Sequence, residues 1–210
     1  MPRHPDPDLE DRILNAAQAL WKRGGEESLT MREVARVAGT NTPAVYRRFK
    51  DRRDLLRGLL RRIRTRIREE FEACDSVEQL AEAYLESALR LPHDYELFYS
   101  YIRELAPRKG THRPRTIGES RPNFAFVQER LAKRLGGSPE DHAQLALALW
   151  ATLHGTATLL LSKSIPEGHE EELHSACRTA VKVLLEKGVK FQRKDGHKRG
   201  GFLGSKPSIL

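Results

Sequence analysis

The run Ala35-Arg36-Val37-Ala38-Gly39, with Val45 six residues further on, constrains this chain more than any other stretch. Two short helices cross closely only where the contacting residue is small and the turn between them admits a left-handed backbone. Ala35 supplies the small residue, and Gly39 supplies a turn that a side chain would penalise. Val34, Ala38 and Val45 then form a miniature core. Ahead of it, Thr30-Met31-Arg32-Glu33 has capping-box form, so Thr30 is expected to accept from the Glu33 amide and the Glu33 carboxylate to return to the Thr30 amide. Behind it, Asn41 is placed to cap the next helix. Pro43 fits that helix's first turn, where amides lack intrahelical partners.

Elsewhere apolar residues recur three and four apart, and strand signals are nearly absent, which predicts an all-α fold. Leu9, Ile13, Ala17, Leu20 and Trp21 make one face of a first helix over 9–23, ended by Gly24-Gly25. The second begins at Thr30 and the third covers 42–49. A long fourth, over 52–71, carries the stripe Leu55, Leu56, Leu59, Ile63, Ile67 and Phe71. Further helices are expected over 76–91, 94–105, 122–135, 139–164 and 169–190. The proline- and arginine-rich stretch 107–122 reads as a loop. Past Asp75 the composition shifts from arginine-rich to aromatic and aliphatic. The expected organisation is a polar lead-in (1–8), a helix-turn-helix domain (9–56), a helical ligand-binding and dimerisation domain (57–191) and a basic tail (192–210), with the fourth helix as a rigid link.

With 210 residues, 39% of them apolar, the chain is long enough for a proper core. A net charge of +8 suits an acidic partner, either nucleic acid or an anionic surface. No secretion signal opens the sequence, and a cytoplasmic location is the default expectation. The apolar stretch 143–161 approaches membrane-spanning length, yet Gln144, Thr152, His154 and Thr156 interrupt it, so a buried bundle helix is expected and no membrane partner. Cys74 and Cys177 have no motif spacing. The only candidate metal cluster, His169, Glu170, Glu171 and His174, has a five-residue histidine spacing that does not align two imidazoles on one helix face. No metal, cofactor or catalytic frame is therefore expected.

The exposed face of the third helix is expected to present Thr42, Pro43, Ala44, Tyr46 and Arg47, the end at which a reading helix meets base edges in the major groove. Tyr46, Lys50 and Arg52 would lie where phosphates pass, as would the start of the second helix with its Thr30 hydroxyl. The segments "ILNAAQALW", "TMREVARVAG" and "PAVYRRFKDRRDLL" are similar to the DNA-binding domain of the tetracycline-repressor (TetR) family of bacterial transcription regulators. The resemblance covers residues 9–60. It implies operator DNA as partner, with Thr30, Thr42, Tyr46 and Arg52 as phosphate or base contacts. Two positions depart from the family pattern: Pro43-Ala44 stand where many members have a glycine and a hydroxyl residue, and Arg52 replaces a lysine.

In the second half, "LWATLHGTATLLL" resembles the Trp, His-Gly pattern of one subgroup of TetR-type C-terminal domains. The last two helices are apolar on more than one side, which predicts a homodimer through 139–164 and 169–190; the resemblance implies the same. Phe98, Tyr101, Phe124, Trp150 and His154 are the candidate contacts for a small apolar or aromatic effector. His154 equally suits a core histidine bonded to a carbonyl, and Gly155 a close approach of two helices. The expected function is a ligand-responsive repressor of a palindromic operator. The alternatives are a nonspecific or architectural nucleic-acid-binding protein, and an enzyme using the apolar pocket.

Overall fold

The computed structural model describes residues 8–102 and 116–195, with side chains of the last helix described up to Gly188. Among the described residues the chain is helical throughout, without strands. Its helices are α1 (Leu9–Ser28), α2 (Met31–Val37), α3 (Thr42–Arg48), α4 (Arg52–Glu72), α5 (Val77–Arg90), α6 (Pro92–Tyr101), α7 (Ile117–Ser120), α8 (Pro122–Leu135), α9 (Ala143–Leu161) and α10 (Glu170–Asp195).

Local chemistry sets the starts of the reading unit. The Thr30 hydroxyl accepts from the Glu33 amide at 3.2 Å, Asn41 Oδ1 from the Ala44 amide at 2.9 Å, and Asp51 from the Asp54 amide at 2.7 Å. Gly39 stands at φ +65°, and the Thr40 amide reaches back to the Ala35 carbonyl at 2.9 Å, closing the turn between α2 and α3. The expected capping box is only half formed. The Glu33 carboxylate is taken by Arg36 at 2.9 Å, and the Thr30 amide donates to the Ser28 carbonyl instead. Gly24 and Gly25 break α1 as their spacing predicts, Gly25 at φ +58°.

Three further expectations need adjusting. Within the expected loop, residues 117–120 form a helical turn capped by Thr116, while 107–115 fall outside the described residues. The helix expected from 139 opens as a 3-10 turn over Pro139–His142 before α9. The last helix continues to Asp195, past the expected start of the tail; 196–210 fall outside the described residues.

Two principal cores result. Ile13, Leu20, Val34, Val45, Leu55 and Leu59 belong to the first, which gathers α1 to α4 and takes Leu97 and Phe98 from α6. The second gathers α5, α8, α9 and α10 around Leu85, Phe124, Leu131, Leu149, Val181 and Leu185. By length and composition α9 could cross a bilayer, but here it packs against α5, α8 and α10.

The cores meet at Asp94, which is 1% exposed. Its carboxylate accepts from Gln18 Nε2 of α1 at 2.7 and 2.8 Å and from Arg66 of α4 at 2.7 Å. A buried carboxylate is tolerated only with such partners. Replacing Asp94 with Asn removes the close buried carboxylate and leaves Arg66 only the more distant Glu70, at 3.8 Å. Because Arg66 retains some exposure, the expected loss is the lower end of the buried-pair range, about 3 kcal/mol in a urea-unfolding series. Gly58 of α4 has a different constraint: a Cβ there would lie 2.6 Å from the Phe49 ring at the end of α3. Gly58→Ala is expected to cost about 1–3 kcal/mol in the same assay, since this overpacking needs the ring to move.

Candidate nucleic-acid interface and ligand cavity

Cap and proline hold the start of α3 at the surface. Pro43, Tyr46, Arg47 and Lys50 are exposed and Thr42 is partly so, with the Tyr46 ring 51% accessible despite its apolar area. Thr30 is exposed at the start of α2. Asn41 is exposed too, but its side-chain oxygen is occupied by the cap. Ala44 departs from the expected arrangement. At 4% exposure it faces inward with Val45, because a residue two positions from Tyr46 on a helix lies toward the opposite side.

Arg52 departs as well. Its Nε donates to the Leu29 carbonyl at 2.8 Å, one terminal nitrogen to Glu26 Oε1 at 3.0 Å and the other to the Glu26 carbonyl at 2.8 Å. The fork is thus committed to the α1–α2 junction, where it ties α4 down. Tyr101 also donates to the Glu26 carboxylate and sets its ring edge-on to Trp21 at 5.6 Å. The Tyr101 hydrogen bond and then Arg52 hold the Glu26 carboxyl below its ordinary range, and the same bond raises the Tyr101 phenol. Tyr101 therefore belongs to this clamp and lies outside the lining of the cavity between the cores.

A cavity of about 100 Å³ lies between the cores, walled by α4, α5, α6, α8 and α9. Phe98, Phe124 and Trp150 line it as expected, together with Phe71, Leu80 and Leu149. Phe126, on the same helix as Phe124, instead packs with Phe71 and Leu80 beneath the Arg68 guanidinium, 4.0 Å from its ring centre. Alternation on a helix face separates the two.

His154 stands behind the cavity wall. Its Nδ1 faces the hydroxyls of Tyr95 and, at 3.3 Å, Tyr84. Tyr84 donates to the Tyr99 hydroxyl at 2.8 Å, and Trp150 Nε1 donates to it at 3.3 Å. The histidine thus orients a tyrosine network rather than touching the cavity or bonding a carbonyl. Burial pushes the Tyr99 phenol up to about 12, pushes Tyr84 further, and lowers His154.

Residue spacing had not singled out Tyr84, Arg64 or Arg121 as lining residues. Tyr84 lies in a stretch that reads only as an amphipathic helix, and Arg121 in one that reads as loop. A Cβ at Gly155 would meet open space, so among the described residues no helix packs closely there. Among the described residues no three His, Cys, Asp or Glu side chains group as a metal site.

Residues 13–59 match the family model of bacterial regulatory proteins of the tetR family, and residues 77–184 match that of the tetracyclin repressor-like C-terminal domain. The chain belongs to the TetR family of transcriptional regulators, a family of regulators and not of enzymes. A comparison with curated proteins gives no significant match.

Solved structures share the fold. The regulatory protein SCO4313 aligns with a TM-score of 0.67 at 22% identity, over 87% of this chain and 100% of that one. A TetR-family transcriptional regulator from Streptomyces coelicolor aligns at 0.56 and 21%, over 85% and 98%. A single-substitution form of TetR from Acinetobacter baumannii AYE, solved in complex with minocycline, aligns at 0.58 and 18%, over 90% and 99%.

The depressed His154 pKa sets a pH dependence. A base that binds its proton less readily when folded stabilises the fold above its unfolded pKa, and that contribution is lost as pH falls through it. His154 is expected to titrate by NMR below the usual 6.5. Stability should decline as pH drops under about 6.5, and His154→Gln should flatten the decline.

Proposed function

We propose that the chain is a homodimeric repressor that places α3 of each subunit in successive major grooves of a palindromic operator and is released by a small molecule held in the cavity. The exposed, capped start of α3 carries the reading. Thr42, Pro43, Tyr46 and Arg47 stand free of the core at the end of a helix whose other face is fully buried. The positions that reach DNA are then Thr30, Thr42, Pro43, Tyr46, Arg47 and Lys50, with Asn41 capping the helix and Arg52 holding it in place.

Dimerisation through α9 and α10 is supported by their outer faces. Leu147 and Leu159 on α9 and Val183 on α10 are 37%, 40% and 40% exposed, and among the described residues a Cβ at Gly155 would meet open space. A second copy of the helix pair would cover these groups and set two reading helices about one DNA turn apart. Small-molecule release is supported by the cavity, which shares Ile67 and Phe71 with α4, the helix whose first half packs under α3. An effector acts there only by favouring one α4 position over another. Operator binding places the protein in the cytoplasm.

Fluorescence anisotropy against the promoter region of the chain's own gene tests the reading. Tyr46→Ala and Thr42→Ala are each expected to weaken operator binding about tenfold, in line with the loss of one good contact. Equal affinity of wild type and both variants, or equal affinity for scrambled DNA, would refute it.

A further inference from the structure

The cavity wall is apolar but not electrically neutral. Two arginines, Arg64 on α4 and Arg121 at the start of α8, line it, and among the described residues no Asp or Glu does. Among the described residues neither arginine has a carboxylate within ion-pair range. The Arg121 guanidinium makes a long bond to the adjacent Ser120 carbonyl at 3.4 Å. Further along α4 the arginines are matched, Arg66 with Asp94 and Arg68 with Glu72. Burial lowers the Arg121 pKa, while Tyr99 beside it raises it. A cation partly removed from water without a counter-charge is a costly arrangement that an anion relieves.

Two more features converge on the same end. The first turn of α8, Pro122 to Phe124, is part of the wall, and no side chain caps that helix. Its free amides and the positive end of its dipole favour negative charge. The Tyr99 hydroxyl, also in the wall, already accepts from Tyr84 and from Trp150. Both of its acceptor positions are thereby occupied, which leaves its own proton to be given to an oxygen. Away from this end, where Ser120 and Asn123 also lie, Phe71, Val77, Leu80, Val127, Leu149 and Leu153 give the wall a largely hydrocarbon surface.

We infer that the effector is an amphipathic carboxylate, whose anionic head is held by Arg121, the Tyr99 hydroxyl and the uncapped start of α8 while an aromatic or medium-length aliphatic body fills the apolar end. Arg64, whose carbonyl accepts from Asn123 at 3.3 Å, adds positive potential from α4 beside the same end. This deepens the effector site of the proposed function and rests on it. A neutral or cationic molecule of the same shape would leave the Arg121 charge unpaired at the cavity wall. Charge-assisted bonds of this kind correspond to roughly a 10–100-fold preference for the anion over an isosteric neutral group.

Two matched series test the inference on the full-length protein by titration calorimetry, with quenching of Trp150 fluorescence as a second signal: 4-phenylbutyrate, 4-phenylbutanamide and 4-phenylbutylamine, and decanoate, decanamide and decylamine. At least one carboxylate is expected to bind about tenfold or more tightly than its amide, and the amine most weakly. Arg121→Met should abolish that preference while leaving amide affinity unchanged. Arg121→Lys should retain part of it, and Tyr99→Phe should reduce it. An amide or amine that binds as tightly as its carboxylate, a preference that survives Arg121→Met, or no binding in either series overturns the inference. Operator affinity of Tyr46→Ala is read without any cavity ligand, so failure of the effector class and failure of the repressor reading give separate results.

Discussion

A single buried carboxylate makes one molecule of the two halves. Asp94 has almost no contact with water, so its charge must be met by protein groups, and those groups come from α1 and α4. Gln18 and Arg66 therefore fix α6 against the reading unit while the same helix carries Phe98 and Tyr99 into the cavity wall. Asp94 and Phe98 stand about one helical turn apart. The helix that carries part of the cavity wall is thus bonded directly to the helix-turn-helix half.

A second tie runs through the opposite end of α6. Tyr101 and Arg52 converge on Glu26, where α1, α4 and α6 meet just beneath the turn into α2. Together with Phe49 seated on Gly58, this leaves α3 few ways to move except with α4. The arginine at position 52 thus serves to lock the reading helix through three directed bonds, a role suited to a planar fork. Arg47 and Lys50, by contrast, leave their positive charge exposed.

Much of the fold was legible because its signals are local. The Ala35, Gly39, Val45 spacing, the caps at Thr30 and Asn41 and the Gly24-Gly25 break each act within a short span of chain, and each took effect where it stood. The Glu33 half of the capping box failed because Arg36, one turn along, offered a charged partner that outcompetes an amide. Ala44 was misplaced for a related reason. Its small size suits either a groove-facing or a core position, and only the packing of α3 on its neighbours selects the core.

The sequence by itself determined an all-helical chain, a helix-turn-helix with a pinned third helix and a family resemblance, since these depend on backbone preferences and periodicity. Tertiary structure alone decided which aromatics share a cavity, sending Tyr101 to Glu26, Phe126 under Arg68 and His154 behind the tyrosines. It also brought Arg64 and Arg121 to one wall, where no acid lies among the described residues, although the two are 57 positions apart in the chain. The reason is physical: hydrogen bonds within a turn are written in neighbouring residues, whereas burial and charge balance depend on groups that only folding brings together.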